Sequence, residues 1–191
     1  MRRIGPAPRL AFVAAALTVG ALLASCAEPQ TASAAPSAVE PPPIDLISPQ
    51  AAATTVLGIL RAERSAVARH DQPGAERCGE LLLSAAATEV IRSEVEKQPH
   101  YRPLLGKDLV RGYTHYWGAT VAYYLDGLNL SGAQVSPAAP DRAAVLIPAT
   151  GRDGRPATLR IECYHDSQHT WRVARIEFER PQKPAGSQPT P

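Results

Sequence analysis

The stretch Arg142–Glu179, RAAVLIPATGRDGRPATLRIECYHDSQHTWRVARIEFE, decides the fold of this chain. It contains three runs that are rich in apolar and β-branched residues, as strands are. The runs span 142–150, 157–165 and 171–179. The connections between them, Gly151–Pro156 and His165–His169, are short and carry turn-forming residues. Strands that are joined by such short turns pair antiparallel, so the stretch predicts an antiparallel sheet.

The aromatic segment Tyr113–Leu125, YTHYWGATVAYYL, is predicted to be a further strand, because aromatic and β-branched residues dominate it. Every second residue from Trp117 onward belongs to the more apolar face, which we expect to face the helices. That face consists of Trp117, Ala119, Val121, Tyr123 and Leu125. A weaker strand is expected at 128–135.

Helical periodicity precedes the strands. Ser48 is a favourable N-cap, and Pro49 suits the first position of a helix. The residues that follow at helical spacing are Val56, Ile59, Leu60, Glu63 and Val67. Further helices are expected at 75–97 and 104–112. Helices followed by strands predict an α+β fold, in which N-terminal helices pack on one face of a curved antiparallel sheet within a single domain, 48–180.

This order of elements resembles the nuclear transport factor two-like, or SnoaL-like, family over residues 51–179. The run WRVARI at Trp171–Ile176 is similar to the last strand of that superfamily. The resemblance implies a cone-like sheet with the helices in its concavity and a cavity that binds small molecules in some members. A different helix-on-sheet domain is the alternative interpretation.

The N-terminal sequence has the features of an export signal. Basic residues at the start precede an uncharged apolar run at 10–24, which is too short to span a membrane. The sequence LASC at Leu23–Cys26 resembles the lipobox of bacterial lipoproteins. The resemblance implies that residues 1–25 are a signal peptide and that Cys26 carries acyl chains, which insert into membrane lipid on the non-cytoplasmic side of the cell envelope. An ordinary secretory signal with an incidental cysteine is the alternative.

Two segments have compositions that do not support a packed core. Residues 26–47 are rich in proline and alanine, and we expect them to tether the domain to the membrane. Residues 181–191 are similarly proline-rich and are expected to form a disordered tail. If Cys26 is lipidated, Cys78 and Cys163 remain, and an oxidising compartment favours a disulfide between them. Two buried free thiols are the alternative.

Candidate chemistry is sparse in this sequence. Tyr113, His115, Trp117 and Tyr123 are the candidate ligand-binding residues, because a cavity in a cone-like fold would be lined from this segment. Asp126 precedes a glycine and is interpreted as part of a turn rather than as a general base.

The pair His165 and His169 has residue types that suit zinc. It falls on an expected hairpin tip, so we interpret it as a solvated turn. We therefore predict no catalytic residue, no metal and no cofactor.

The net charge of the chain excludes one class of function. Twenty Lys and Arg residues against 18 Asp and Glu give a formal charge of +2, which excludes a polybasic nucleic-acid binder. The sequence favours a non-catalytic envelope lipoprotein whose α+β domain contacts another envelope protein or supports an assembly. The alternative is a small-ligand-binding protein or enzyme that uses a cavity in the cone.

Overall fold

The computed structural model describes residues 38–97 and 108–179. Four helices come first: α1 (Pro49–Ala68), α2 (Gln72–Ala85), α3 (Thr88–Lys97) and α4 (Leu109–Val121). Two short 3-10 turns, Leu125–Gly127 and Leu130–Gly132, lead into β1 (Gln134–Ala139), β2 (Arg142–Thr150), β3 (Pro156–His165) and β4 (Trp171–Glu179). The predicted α+β class with N-terminal helices and an antiparallel sheet is confirmed, and the sheet is curled but not closed.

The sheet is antiparallel with the strand order β1-β2-β3-β4. The three predicted strands of the deciding stretch form with bounds within one residue of those expected. Gly154 adopts a φ of 78° in the β2–β3 turn, a left-handed conformation that glycine accepts without a Cβ clash. A register shift between Glu162 and Cys163 on β3 places an extra residue on β4 and bends that strand.

Helix α1 supplies the central layer against the sheet. Ser48 caps it, because its Oγ accepts a hydrogen bond from the amide of Ala51 at 3.1 Å. Its buried residues pack on the inner face of the sheet, whose buried side chains come from alternate positions of β2 and β3. The inner-face residues are Val145, Ile147, Leu159, Ile161 and Cys163. This alternation explains why the strands were visible in the sequence.

The single helix predicted at 75–97 is two helices, α2 and α3. Ala86 leaves the helical conformation, with φ −84° and ψ 141°, and forms a parallel bridge with Val173 of β4. The amide of Ala87 donates to the carbonyl of Val173 at 2.8 Å. This long-range hydrogen bond interrupts a run of alanines that contains neither glycine nor proline. The start of α2 is also earlier than expected, because Asp71 caps it through the amide of Gly74 at 3.0 Å.

The strand predicted at Tyr113–Leu125 is wrong, because residues 113–121 belong to helix α4. Asp108 caps this helix by accepting from the amide of Arg111 at 3.1 Å. The buried residues recur at helical spacing and are Val110, Thr114, Trp117 and Val121. Only part of the short helix expected at 104–112 coincides with α4, and the rest lies outside the described residues. In the strand expected at 128–135, Leu130–Gly132 is a 3-10 turn, and only the last two residues are strand, because β1 begins at Gln134.

The end of the predicted tether is part of the domain. Thr55 Oγ1 donates to the carbonyl of Asp45 at 3.0 Å, and Trp171 N donates to the carbonyl of Leu46 at 2.8 Å. Pro42 packs over Gly58 of α1 so closely that a Cβ there would lie 2.7 Å from its ring. We call Pro42–Leu46 the N-terminal clamp. Contacts of the domain therefore extend to residues before 48, while Cys26, the predicted signal peptide and the predicted tail 181–191 lie outside the described residues.

The expected disulfide between Cys78 and Cys163 is absent, and both residues are buried free thiols. Cys163 Sγ lies 3.6 Å from the carbonyl oxygen of Pro49, at the start of α1. Cys78 lies on α2, and burial raises the pKa of its thiol, with a further increase from the carboxylate of Glu63 in the second half of α1. Helix α1 rises about 21 Å between Pro49 and Glu63. A disulfide needs Cα atoms about 4.4–6.8 Å apart, so the two thiols lie too far apart to bond.

Candidate functional site

A groove of about 600 Å³ lies between helix α4 and strand β4. We call it the α4–β4 groove. One wall consists of residues from Gly112 to Thr120 of α4, and the other consists of five consecutive residues of β4, from Ala174 to Phe178. Helix α3 and strand β3 complete the lining with Val90, Glu94, Val95, Glu162 and Tyr164. Its volume falls in the range of ligand sites, about 300–1,000 Å³.

Three of the four predicted ligand-binding residues line this groove. Tyr113, His115 and Trp117 do so from α4, although they were expected there as members of a strand. The fourth, Tyr123, is not a groove residue. Its hydroxyl accepts a hydrogen bond from the amide of Asp153 at 3.0 Å, so this side chain braces the β2–β3 turn.

Trp117 is the most informative side chain of the groove. It is only 1% exposed, and its ring meets the ring of Tyr113 edge-on, with centroids 6.1 Å apart. Its Nε1 makes no hydrogen bond within the described residues. A buried donor without a partner destabilises the fold by about 1–3 kcal/mol, and such donors are rare. A bound molecule that supplied an acceptor would remove this destabilisation.

Glu63 and His115 form a titratable pair that the sequence did not reveal. His115 Nδ1 lies 3.5 Å from Glu63 Oε1, and the carboxylate is mostly buried whereas the imidazole is exposed. Burial raises the pKa of Glu63, and the nearby His115 partly offsets this increase. In the sequence, Glu63 occupies a position in the apolar stripe of α1. A charged residue at such a position is the one sequence feature that indicates a special role for Glu63.

The lining carries more negative than positive charge. Among the described lining residues, Glu94, Glu162 and Glu177 are carboxylates and Arg175 is the one guanidinium. Arg175 Nη2 pairs with Glu177 at 2.9 Å inside the groove. Glu94 pairs with Lys97 at 3.1 Å, and Glu162 pairs with Arg160 at 3.3 Å, but neither of those cations lines the groove.

A second cavity of about 750 Å³ lies at the β3–β4 hairpin and the start of α3. Its organising residue is Asp166, which accepts from the amides of Gln168 and Thr170, each at 2.9 Å. The hydroxyl of Thr170 and the guanidinium of Arg172 donate to its other oxygen at 2.8 and 2.5 Å. The Arg172 guanidinium, together with these other donors, holds the pKa of Asp166 well below its usual range. Asp166 therefore stabilises the turn, and its two carboxylate oxygens already accept these four hydrogen bonds.

The remaining candidates are surface features. His165 and His169 lie beside this turn with ring centroids 5.6 Å apart. Within residues 38–97 and 108–179, no three His, Cys, Asp or Glu side chains are grouped so that they could hold a metal ion. Asp126 lies in the first 3-10 turn, as expected, and pairs with Arg64 at 3.0 Å on the surface.

Comparisons of the chain with family models, with curated proteins and with solved structures find no significant match. In the described part of the chain, no helix has both the length and the apolar character needed to cross a membrane.

Proposed function

We propose that this protein is a non-catalytic binding module of the bacterial cell envelope, and that its α4–β4 groove receives a segment of a partner protein. The observation that carries the proposal is the buried Nε1 of Trp117, a buried side-chain donor that has no hydrogen-bond partner among the described residues. Trp117 lines the groove beside Tyr113, with ring centroids 6.1 Å apart, and a segment that displaced the atoms covering Nε1 would supply a carbonyl oxygen as its acceptor.

The shape and surface of the groove favour a polymer over a small enclosed molecule. Tyr116, one of its aromatic residues, is 56% exposed, and the sheet is curled but not closed. Small ligands bind in clefts that bury about 70–90% of their surface, whereas a protein segment can lie in an open groove. Aromatic residues are also enriched at protein–protein interfaces relative to the rest of the surface.

A small-ligand binder remains the second candidate, because Tyr113, His115 and Trp117 converge on one groove. The catalytic variant of this proposal has less support. The Glu63–His115 pair is the acid–base couple at the groove, and its imidazole is 81% exposed in solvent. A shielded site that excludes water favours acid–base catalysis, and an imidazole in such an open position is not shielded.

The membrane anchor is proposed from the sequence. The lipobox-like LASC at Leu23–Cys26 supports acylation of Cys26 and attachment to the non-cytoplasmic side of a membrane. The N-terminal clamp would then be the point at which the anchored segment joins the folded domain.

Site-specific photocrosslinking in the cell that makes the protein tests this function. A benzophenone amino acid replaces Tyr116 in the full-length chain, and in a matched variant it replaces Tyr123, which is 41% exposed but lies outside the groove. The proposal expects a discrete protein adduct from position 116 and none from position 123. Equal labelling at both positions, or no protein adduct at either, would show that the groove does not hold a partner.

Native mass spectrometry of the purified chain distinguishes the second candidate, a small-ligand binder, from a module that binds a partner protein. A bound mass of a few hundred daltons at fixed stoichiometry, lost in a Trp117→Phe variant, would favour the small-ligand binder over the protein partner.

A further inference from the structure

Strand β4 presents to the groove an edge that no described residue pairs with. It is the last strand of the sheet and pairs on one side with β3 alone. On its other side, Trp171 and Val173 are hydrogen-bonded to Leu46 and Ala87. Beyond Val173, no backbone hydrogen bond joins β4 to any described residue outside the sheet. Backbone groups of an exposed strand edge are a template for another extended chain.

The unpaired part of β4 is the part that lines the groove. Five consecutive residues of β4 line it, from Ala174 to Phe178. A strand places alternate side chains on opposite faces, so consecutive residues share a lining when the edge of the strand forms the wall. This wall is about 13 Å long, from the rise of about 3.3 Å per residue. The facing wall, from Gly112 to Thr120 of α4, is about 12 Å long. The two walls thus match an extended segment of about five residues.

The charge of the lining selects among extended segments. Three carboxylates against one guanidinium favour a segment that carries lysine or arginine. The Glu94–Lys97 pair lies on the surface, with Glu94 51% exposed, whereas the Glu162–Arg160 pair is partly buried. Exposed pairs contribute only about 0–1 kcal/mol, so an incoming cation can replace Lys97 as the partner of Glu94 at little cost.

We propose that the α4–β4 groove binds an extended, basic peptide segment that pairs with the edge of β4 as an additional strand. In this arrangement the N–H and C=O groups between Ala174 and Phe178 pair with the peptide backbone. The basic side chains of the peptide meet Glu94 and Glu162. This inference rests on the proposed function, and it specifies what the partner presents to the groove.

Peptide binding to the full-length chain, purified in detergent micelles, tests the inference. The probe is a fluorescein-labelled heptapeptide of alternating lysine and valine, followed by fluorescence anisotropy. One comparison peptide replaces lysine with glutamate, and another carries a methyl group on every backbone nitrogen. We expect saturable binding of the lysine peptide only. Its binding should protect amides within Ala174–Phe178 from hydrogen exchange. Equal binding of the methylated peptide, or no protection in that range, would overturn strand addition.

Helix α3 supplies a matched pair of variants for the charge argument. Glu94→Gln and Glu89→Gln each remove one exposed carboxylate from an i,i+3 ion pair, but only Glu94 lines the groove. We expect Glu94→Gln to weaken binding of the lysine peptide by about two- to five-fold and Glu89→Gln to leave it unchanged. Equal effects of the two variants would overturn the assignment of charge preference.

Different experimental results would refute strand addition by a basic segment and the proposed function of the groove. An adduct at position 116 in cells, together with no binding of the lysine peptide, would refute strand addition by a basic segment and leave the groove as a protein-binding site. Absence of both the adduct and peptide binding would refute the proposed function as well.

Discussion

Replacing Gly118 with alanine tests whether α4 is a helix seated on α1, which is the structural basis of the groove. Gly118 lies in the middle of α4, and a Cβ built there would meet Glu63 Oε2 at 3.6 Å and Leu60 Cδ2 at 3.7 Å. Both distances are ordinary van der Waals contacts. The methyl group therefore fits between the two helices without displacing either of them.

The expected stabilisation follows from the backbone. Alanine is favoured over glycine in a helix interior by about 0.8–1.0 kcal/mol, because glycine loses more conformational freedom. The new contact with Leu60 adds a small further gain. For a domain of this size, about 1 kcal/mol corresponds to a rise in Tm of about 3–4 °C.

Gly127→Ala is the matched counterpart, because the same methyl group that fits at Gly118 would clash with neighbouring backbone at Gly127. A Cβ at Gly127 would lie 2.1 Å from the carbonyl oxygen of Thr150, so the backbone on one side must move. The adjacent bridge between Leu128 and Ala149 would then be disturbed. We expect a loss of about 3 kcal/mol, at the upper end of overpacking costs, and a fall in Tm of about 10 °C.

Thermal unfolding followed by circular dichroism, with urea titrations to measure the free energy of unfolding, provides both values. A loss of stability of more than 1 kcal/mol in Gly118→Ala would show that α4 does not pack on α1 as described. An unchanged Tm in Gly127→Ala would show that the 3-10 turn does not lie against β2. Either result would refute the placement of the segment that lines the groove.

Three further predictions concern titratable groups. Asp166→Ala should lose about 1–3 kcal/mol at pH 7, because four accepted hydrogen bonds vanish from a partly exposed turn. Since the pKa of Asp166 is lowered in the folded state, its contribution is present above its unfolded pKa of about 3.9 and is lost as the pH falls. Urea titrations at pH 7 and pH 3 should therefore show a smaller deficit in acid. Glu63→Gln should gain stability relative to the wild type as the pH rises from 4 to 7. Burial raises the pKa of Glu63, so ionising it costs stability, and an opposite slope would contradict that cause. In a Cys26→Ser chain kept free of reductant, Cys78 and Cys163 should react slowly with a thiol reagent while folded and completely in guanidinium. Burial raises the pKa of Cys163 to about 12, and a denatured chain without free thiols would contradict the free-thiol assignment.

The strands of Arg142–Glu179 could be predicted because each carries its own signals. Alternate burial along β2 and β3, and turns that contain glycine or aspartate, are local properties of the sequence. The same holds for the start of α1, where Ser48 and Pro49 form a cap without help from distant residues. Local signals of this kind are visible in one sequence because they need no knowledge of the rest of the fold.

Helix α4 was mistaken for a strand because the two periodicities coincide over short distances. Residues four apart share a face both in a strand and in a helix, so Trp117 and Val121 satisfy either interpretation. The buried pair Val110 and Thr114 and the cap at Asp108 resolve the ambiguity, and two of the three, Asp108 and Val110, lie before the aromatic run. The same coincidence explains why Tyr113 and Trp117 line one groove although they were expected on a strand.

Other features depend on contacts that no local pattern records. The break between α2 and α3 arises from the hydrogen bond between Ala87 and Val173, which are distant in sequence. Glu63 meets His115 only after α4 packs beside α1. The groove itself exists because β4 ends the sheet beside α4, which is a property of topology.

The N-terminal clamp has a mechanical consequence. If the chain is held at its N-terminus by a membrane, tension reaches the domain first at Pro42–Leu46 and not at the cap of α1. The hydrogen bond from Trp171 to Leu46 passes that load to the first residue of β4. Beyond Val173, the same strand carries the edge that the described residues leave unpaired. A partner bound to that edge, as we propose, would oppose the load through β4, so tension between the membrane and the partner would act on the strand that lines the groove.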